Sequence, residues 1–280
     1  MTAEQVVTDA APDGAPDVDP DKASIDASRA PLLDHLVELR RRLLWSFGAL
    51  LIGFIICFNF AREIFAFLVQ PLLAEGQGTL VYTQLFEAFF VELKVALFAA
   101  VFISFPVFAT QIWRFVAPGL YRNERRALLP FLLATPVLFI AGAAAAYYGA
   151  IPIALRFLLG FQGNVGGVEQ EALPGVGNYL DFVMHFVLAF GIAFLLPILL
   201  MLLERAGIVT LAQLRASRRY MIVAAFVIAA IFTPPDVISQ LLLAIPLILL
   251  YEAALVAIAL SSRKGASGKA ASAAAEEAAP

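Results

Sequence analysis

Two uncharged segments and the arginine-rich connection between them decide the fold: VALFAAVFISFPVFATQIW at residues 95–113, RFVAPGLYRNERR at 114–126, and ALLPFLLATPVLFIAGAAAAYYGAIPIAL at 127–155. A helix needs about 20 apolar residues to cross the hydrocarbon core of a bilayer. The two uncharged segments therefore predict membrane-spanning helices. The connection holds four arginines and one carboxylate, Glu124. Positive charge sets membrane topology, and an acid contributes little to it, so Glu124 needs another explanation.

The composition of the whole chain predicts a polytopic membrane protein. Hydrophobic residues make up 61% and charged residues 15% of the 280 residues, whereas soluble domains average about 45–50% and about 25%. With two histidines and one cysteine, Cys57, we expect no internal disulfide, no metal site and no cofactor. The net charge of -3 does not suggest a basic surface that would bind nucleic acid.

Six apolar segments predict an all-α membrane domain over residues 31–262 with six transmembrane helices. They lie at about residues 43–61, 90–113, 127–155, 180–203, 219–235 and 237–260. The uncharged parts of the last two segments would extend only ~22–24 Å, less than the ~30 Å hydrocarbon core, so we expect both helices to be short. Prolines inside most segments predict kinked helices and a curved bundle.

The two ends of the chain predict flexible tails. Residues 1–30 are rich in Ala, Asp and Pro, with seven acids before Arg29 and no apolar core. Such a segment is typical of a disordered acidic tail and unlike a cleaved secretory signal. The Ala- and Ser-rich residues 263–280 predict a flexible C-terminal tail.

Lysine and arginine are distributed unevenly among the connections between the spans. Connections on one side hold three, four, four and three of them, whereas the opposite connections hold only Arg62 and Arg156. Positive residues accumulate on the cytoplasmic side of membrane proteins. We therefore expect both termini to lie in the cytoplasm.

Two acids beside the predicted membrane are candidates for ligand binding. Residues 31–42, PLLDHLVELRRR, predict an amphipathic helix in which Glu38 can pair with Arg41 or Arg42, contributing about 0.2–0.5 kcal/mol. The alternative is that Glu38 binds an incoming cation, and Glu124 faces the same two alternatives. Two separated carboxylates suit a ligand with two guanidinium groups, because each group can bind a carboxylate bidentately.

Other polar residues favour structural roles. We expect Lys94 to extend towards the membrane interface, with an intramembrane pair to Glu92 as the alternative. We expect His185 to be a satisfied core residue, with a proton relay as the alternative. Thr233 and Gln240 favour helix packing over ligand binding. The sequence contains no GxxxxGK[ST], HExxH or GxSxG motif, so we expect no enzyme activity.

Three motifs resemble the TatC family, the multi-span receptor component of the twin-arginine protein translocase. They are HLVELRRRL at residues 35–43, FVAPGLY at 115–121 followed by Glu124-Arg125-Arg126, and TPPDV at 233–237 running to Gln240. The resemblance covers roughly residues 31–262, and the ordered set of three motifs is highly specific.

The resemblance implies a signal-peptide receptor in the bacterial cytoplasmic (inner) membrane, which exports folded proteins with paired-arginine signals by means of the proton-motive force. Glu38 and Glu124 would bind the two arginines of the signal. The other residues implied in signal-peptide binding are Arg40, Arg126, Phe115 and Pro71. Thr233 and Gln240 would lie where single-span TatA and TatB type subunits dock. The resemblance also implies self-association in a receptor complex, within membrane lipid.

One position departs from the family pattern, and two other functions stay open. Relatives often carry an acid just ahead of the proline in the fourth span, whereas this chain has Leu195-Leu196 before Pro197, with Glu204 about two turns further along. A secondary transporter or channel for a small solute would need a polar site at the membrane midplane. A purely structural membrane scaffold would bind no signal peptide.

Overall fold

The computed structural model describes the backbone of residues 20–120 and 125–277, and the side chains of residues 37–114, 131–164, 166–168 and 170–261. The helices in these ranges are α1 (Pro20–Asn59), α2 (Ala61–Ala74), α3 (Glu87–Leu120), α4 (Arg125–Ala145), a π-helical segment (Ala146–Ala150), α5 (Ile151–Leu159), α6 (Val176–Ala193), α7 (Leu196–Arg205), α8 (Leu211–Ala216), α9 (Arg218–Phe232) and α10 (Val237–Glu277). The chain divides into two compact units, Met1–Leu43 and Leu44–Pro280. The packing described below lies in the second unit.

Five helical segments among the described residues are long and apolar enough to cross a membrane. They are Val37–Asn59, Glu87–Arg114, Phe131–Leu159, Val176–Arg205 and Val237–Ser261. The prediction of a helical, multi-span membrane protein is therefore confirmed. The predicted fifth span forms α9, whose 15 residues extend about 22 Å and fall short of the hydrocarbon core. The count of six spans stays a prediction.

The last span has nearly its predicted bounds of about 237–260, but it is not short as expected. It has 25 residues, whereas the uncharged segment stops at Tyr251. The charged residue Glu252 does not end the helix, because its carboxylate pairs with Arg218 Nη2 at 2.7 Å. A charge with a local partner can be accommodated near the end of a span. The backbone of α10 also continues past residue 262, and α1 begins at Pro20, so helix runs into both predicted tails, whose Ala-rich sequences favour it.

Prolines interrupt two of the spans. The third span changes from α4 to a π-helical segment and then to α5, where Pro152 is in the first turn. The fourth span breaks between α6 and α7, and Pro197 is in the first turn of the new helix. Proline lacks the N–H that would continue the preceding hydrogen bonds, and it fits the first turn of a helix. The predicted curvature of the bundle stays a prediction.

The centre of the second unit is the contact between α4 and α6. A Cβ atom added at Gly142 would come within 2.5 Å of the Phe190 carbonyl oxygen, and one added at Gly191 within 2.7 Å of the Phe139 ring. Phe139 is fully buried and stacks on Phe105 with 3.7 Å between the ring centroids. Small residues let helix backbones approach closely in membranes, where packing drives association.

The connections α2–α3 and α5–α6 are joined to each other by hydrogen bonds. The Val81 N–H donates to the Pro174 carbonyl at 3.1 Å, and the Val176 N–H donates to the Val81 carbonyl at 3.0 Å. Glu87 accepts a hydrogen bond from the Gly177 N–H at 2.7 Å. These contacts hold the start of α3 against the start of α6.

The α5–α6 connection contains a small antiparallel hairpin, β1 (Gly163–Val165) and β2 (Val168–Gln170). The all-α prediction omitted it. Gly166 and Gly167 form the turn with φ angles of 64° and 91°, the left-handed conformation that a two-residue hairpin turn requires. The two adjacent glycines were the feature of the sequence that could have predicted this hairpin.

We expect Gly142→Ala to destabilise the protein by about 1–3 kcal/mol, because the added methyl group would force α4 and α6 apart. The matched control is Gly149→Ala, whose added Cβ would have nothing within 4 Å. Cys57 is the one cysteine of the chain and is buried, so a thiol-reactive dye reports thermal unfolding. Equal unfolding temperatures in the two variants would contradict the close α4–α6 contact.

Candidate functional site

Glu38 lies on α1 and pairs with Arg42 one turn further along the helix. The bond joins Arg42 Nη2 to Glu38 Oε1, at the i,i+4 spacing that favours an acid followed by a base. The Glu38 side chain is 37% exposed and that of Arg42 14%. The intrahelical pair, one of the two alternatives at Glu38, is therefore present in the structure. The recorded bond engages only one of the two carboxylate oxygens.

Arg40 is exposed but lies on a different face of α1 from Glu38. Two residues correspond to a rotation of about 200° around a helix with 3.6 residues per turn. The Arg40 guanidinium and the Glu38 carboxylate therefore extend in opposite directions. Any role of Arg40 in binding involves another group of a ligand or partner.

The second candidate carboxylate, Glu124, lies outside the described residues. Helix α3 ends at Leu120 and α4 begins at Arg125. Phe115 and Arg126 lie in the end of α3 and the first turn of α4, with their backbones described. The structure thus assigns Phe115 and Arg126 to the two helix ends that flank the segment containing Glu124.

Pro71 is buried within α2, which follows the first span, whereas Glu38 precedes most of that span. Proline has no N–H to donate to the carbonyl four residues earlier, which belongs to Phe67. The Tyr147 hydroxyl donates a hydrogen bond to this Phe67 carbonyl, and the Tyr147 and Phe67 rings stack at 4.5 Å. Pro71 therefore frees the carbonyl that ties α2 to the π-helical segment.

Thr233 and Gln240, the predicted docking residues, lie at the junction of α9 and α10. Thr233 is buried, and its hydroxyl donates to the Ala229 carbonyl of its own helix at 2.9 Å. Gln240 Nε2 donates to the Phe226 carbonyl of α9 at 3.2 Å. Both side chains thus take part in contacts within the chain, as expected for helix packing.

The same junction holds two polar atoms without a partner among the described residues. Asp236 Oδ1 caps α10 by accepting from the Ser239 N–H at 2.7 Å. The other two polar atoms, Asp236 Oδ2 and Ser239 Oγ, are buried and have no recorded hydrogen-bond partner. A buried polar atom without a hydrogen-bond partner destabilises the folded protein. The capping oxygen Oδ1 therefore stabilises this junction, whereas Asp236 Oδ2 and Ser239 Oγ do not.

Lys94 forms an ion pair with a partner that was not predicted, and His185 differs from its prediction. Lys94 Nζ binds both carboxylate oxygens of Asp181 on α6 at 2.8 Å, and Glu92 pairs instead with Arg62 at 3.2 Å. His185 is exposed, not in the core, and its Nδ1 lies 2.6 Å from the Asp181 carbonyl. The prediction missed Asp181, which is 87 residues from Lys94, because only the α3–α6 packing brings the two together. No cluster in the described ranges could hold a metal ion.

An apolar cavity of about 370 Å³ lies between α3, α4 and α7. Trp113 Nε1 donates to Thr135 Oγ1 at 2.9 Å, and both residues line the cavity together with Leu195 and Leu203. Among the described residues its lining includes no acid, and Glu204 is not part of it. The leucine at position 195 thus leaves this cavity without the carboxylate that the resemblance would suggest.

We expect Asp236→Ala to destabilise the protein by about 1 kcal/mol, because it removes the cap of α10. Ser239→Ala is the matched control. It removes a buried hydroxyl that has no recorded partner, so the stability of the protein should be unchanged or higher. Thermal unfolding followed at Cys57 measures both. A larger loss in Ser239→Ala than in Asp236→Ala would contradict these assignments.

Comparison with known proteins gives a consistent result. The family model described as "Sec-independent protein translocase protein (TatC)" matches residues 34–246. The chain is 50% identical to the Sec-independent protein translocase protein TatC of Magnetococcus marinus over 226 residues, which is 80% of this chain and 82% of the relative. It is 44% identical to the protein of the same name from Aquifex aeolicus over 237 residues, 84% of this chain and 97% of the relative.

A solved structure supports the same conclusion. The crystal structure of a twin arginine translocase receptor, TatC, is similar to this protein with a TM-score of 0.73 and 44% sequence identity. The match covers 81% of this chain and 99% of that chain. Sequence, family model and fold thus agree over most of the chain, and this protein belongs to the TatC family of Sec-independent protein translocase proteins.

Proposed function

We propose that this protein is the signal-peptide receptor and core subunit of a twin-arginine protein translocase. It binds paired-arginine signal peptides of folded cargo and exports that cargo across the bacterial inner membrane by means of the proton-motive force. The observation that carries this proposal is the match of residues 34–246 to the TatC family, together with a fold similar to a twin arginine translocase receptor. The names of these relatives give no support to the solute-transporter alternative.

The proposed topology has six spans, with α9 as a short fifth span and both termini in the cytoplasm. The basic connections support this orientation. The 15 residues of α9 can cross if the bilayer thins locally or if neighbouring helices cover its ends. Glu38 and Glu124 then belong to the cytoplasmic side, where a signal peptide arrives.

Binding at Glu38 is an exchange of one arginine for another. Arg42 already occupies Oε1 of Glu38, and a bidentate contact with a signal arginine needs both carboxylate oxygens. The incoming guanidinium therefore displaces Arg42. Glu38 keeps a cationic partner before and after the exchange, so its carboxylate does not become an uncompensated charge beside the membrane.

Glu124 is proposed as the second carboxylate, which binds the other arginine of the pair. Phe115 and Arg126 flank it in the chain and would shape the site from the ends of α3 and α4. Arg40 faces away from Glu38 and would contact other parts of the peptide or a partner. Pro71 would contribute indirectly, through the α2 contact at the Phe67 carbonyl.

Partner subunits of the TatA and TatB type are proposed to dock at the α9–α10 junction beside Thr233 and Gln240. Gln240 Nε2 is engaged by the Phe226 carbonyl, so the Gln240 amide oxygen is the group that would accept a hydrogen bond from a partner helix. Hydrogen bonds between helices of this kind contribute about 1 kcal/mol in membranes. Self-association in a receptor complex is part of the same proposal.

We expect the double variant Glu38→Ala/Glu124→Ala to weaken binding of a twin-arginine signal peptide, because each lost charge-assisted contact costs about 1.5–3 kcal/mol. The control is Glu63→Ala, which removes an exposed acid on α2. Binding of a fluorescent signal peptide to the purified protein measures the change. Unchanged affinity in the double variant would refute the site.

We expect Arg42→Gln to strengthen signal-peptide binding several-fold, because it removes the arginine that competes for Glu38. Arg41→Gln is the matched control, since it makes the same charge change on an exposed neighbour without removing the recorded pair. The same peptide titration measures both. Equal gains in the two variants would indicate a general charge effect, and weaker binding in Arg42→Gln would show that Arg42 does not compete for Glu38.

A further inference from the structure

A groove with two arginines at its rim lies between α8, α9 and the end of the last span. It is lined by Arg215, Arg218, Leu255, Val256, Ala259 and Leu260 and has a volume of about 220 Å³. Two guanidinium groups thus lie beside a short apolar surface. Neither the signal-peptide site nor the proposed docking junction at Thr233 and Gln240 uses these residues.

The arginines are held in place relative to the apolar surface. Thr210 caps α8 through a reciprocal pair of hydrogen bonds with Gln213. The Tyr251 hydroxyl of α10 donates to the Leu214 carbonyl at 2.6 Å, which fixes the short helix that carries Arg215. Arg218 is held from the other direction by its ion pair with Glu252 on α10.

The apolar part of the groove belongs to the last two turns of a candidate span, which ends at Ser261. Val256 and Leu260 are 57% and 56% exposed, so their side chains are available to a ligand. Residues 255–260 extend about 7–8 Å along the helix axis, close to the length of the first few methylene groups of a lipid chain. In the proposed topology, the charged rim therefore lies where lipid headgroups meet the hydrocarbon.

We propose that this groove binds an anionic phospholipid, with its phosphate on Arg215 and Arg218 and the start of an acyl chain along the Leu255–Leu260 surface. Guanidinium groups match phosphate oxygens in geometry and charge. The described groups at this rim are cationic except for Glu252, so the surface favours an anion. In the orientation of the proposed function, this end of α10 faces the cytoplasmic leaflet, which carries anionic lipids and attracts basic residues.

Glu252 lowers the affinity of this groove for a phosphate group, because its carboxylate competes with the phosphate for Arg218. Its carboxylate holds Arg218 Nη2 at 2.7 Å, whereas none of the recorded ion pairs of the described side chains involves Arg215. A bound phosphate therefore gains most from Arg215 and shares Arg218 with Glu252. A single lipid that is charged at one end and apolar at the other matches both halves of the groove.

The test is native mass spectrometry of the purified full-length protein in detergent, titrated with palmitoyl-oleoyl-phosphatidylglycerol or with palmitoyl-oleoyl-phosphatidylcholine. The wild-type protein should retain the anionic lipid preferentially. Arg215→Gln should lower retention of phosphatidylglycerol by about tenfold, because it removes one charge-assisted contact. Arg219→Gln is the matched control, since Arg219 contacts the Tyr220 ring and does not line the groove. Glu252→Gln should raise retention by freeing Arg218.

A second variant tests the apolar half of the groove. Ala259→Phe fills the space and should displace the lipid while both arginines remain. Equal retention of the two lipids by the wild-type protein would overturn the proposal. So would equal loss in Arg215→Gln and Arg219→Gln, or full retention in Ala259→Phe. No signal peptide is present in the titration, so failure of the lipid site and failure of the receptor function are separate results.

Discussion

The close backbone contact between α4 and α6 is the constraint on which the packed helices depend. Gly142 lies where a single methyl group would meet the Phe190 carbonyl, so the two helices approach as closely as their backbones allow. This approach places Phe139 in a fully buried position against Phe105 of α3. It also fixes α6 next to α3, where Lys94 reaches Asp181. Helix association in a membrane depends on such packing, because lipid tails are as apolar as the side chains.

A second constraint is that a backbone carbonyl freed within a packed helix needs another hydrogen-bond donor. Pro71 removes the donor that Phe67 would have in a regular helix, and the Tyr147 hydroxyl supplies another. The Tyr251 hydroxyl also donates to a carbonyl of another helix, that of Leu214, which accepts the Ser217 N–H as well. In both places a tyrosine hydroxyl joins two helices through a backbone carbonyl. At Pro71, a break in the regular hydrogen bonding of a helix is thus linked to a contact between helices.

The sequence predicted what depends on local pattern and missed what depends on packing. Uncharged segments located the long helices, and the helical spacing of Glu38 and Arg42 predicted their pair as one of the open alternatives. The partner of Lys94 was missed because Asp181 is distant in the chain. The prediction that His185 lies in the core was wrong because a single histidine in an apolar segment does not indicate which face of the helix it occupies. The last span was expected to be short because its uncharged part stops at Tyr251, and the pair of Glu252 with Arg218 across two helices was not foreseen. Of the two candidate carboxylates, only Glu38 lies among the residues whose side chains the structure describes, and the role of Glu124 rests on its motif.

If Glu38 binds a signal arginine as proposed, its pair with Arg42 has a consequence for discrimination between ligands. A receptor carboxylate without a partner would bind any cation that reached it, including lysine and inorganic ions. When a carboxylate is already bound to an arginine of its own helix, a ligand gains only the difference in free energy between its own contact and the contact that it displaces. A lysine, which cannot form the bidentate contact, gains little from such an exchange. In the proposed receptor, the internal arginine would thus set a threshold of affinity that favours a closely matched guanidinium.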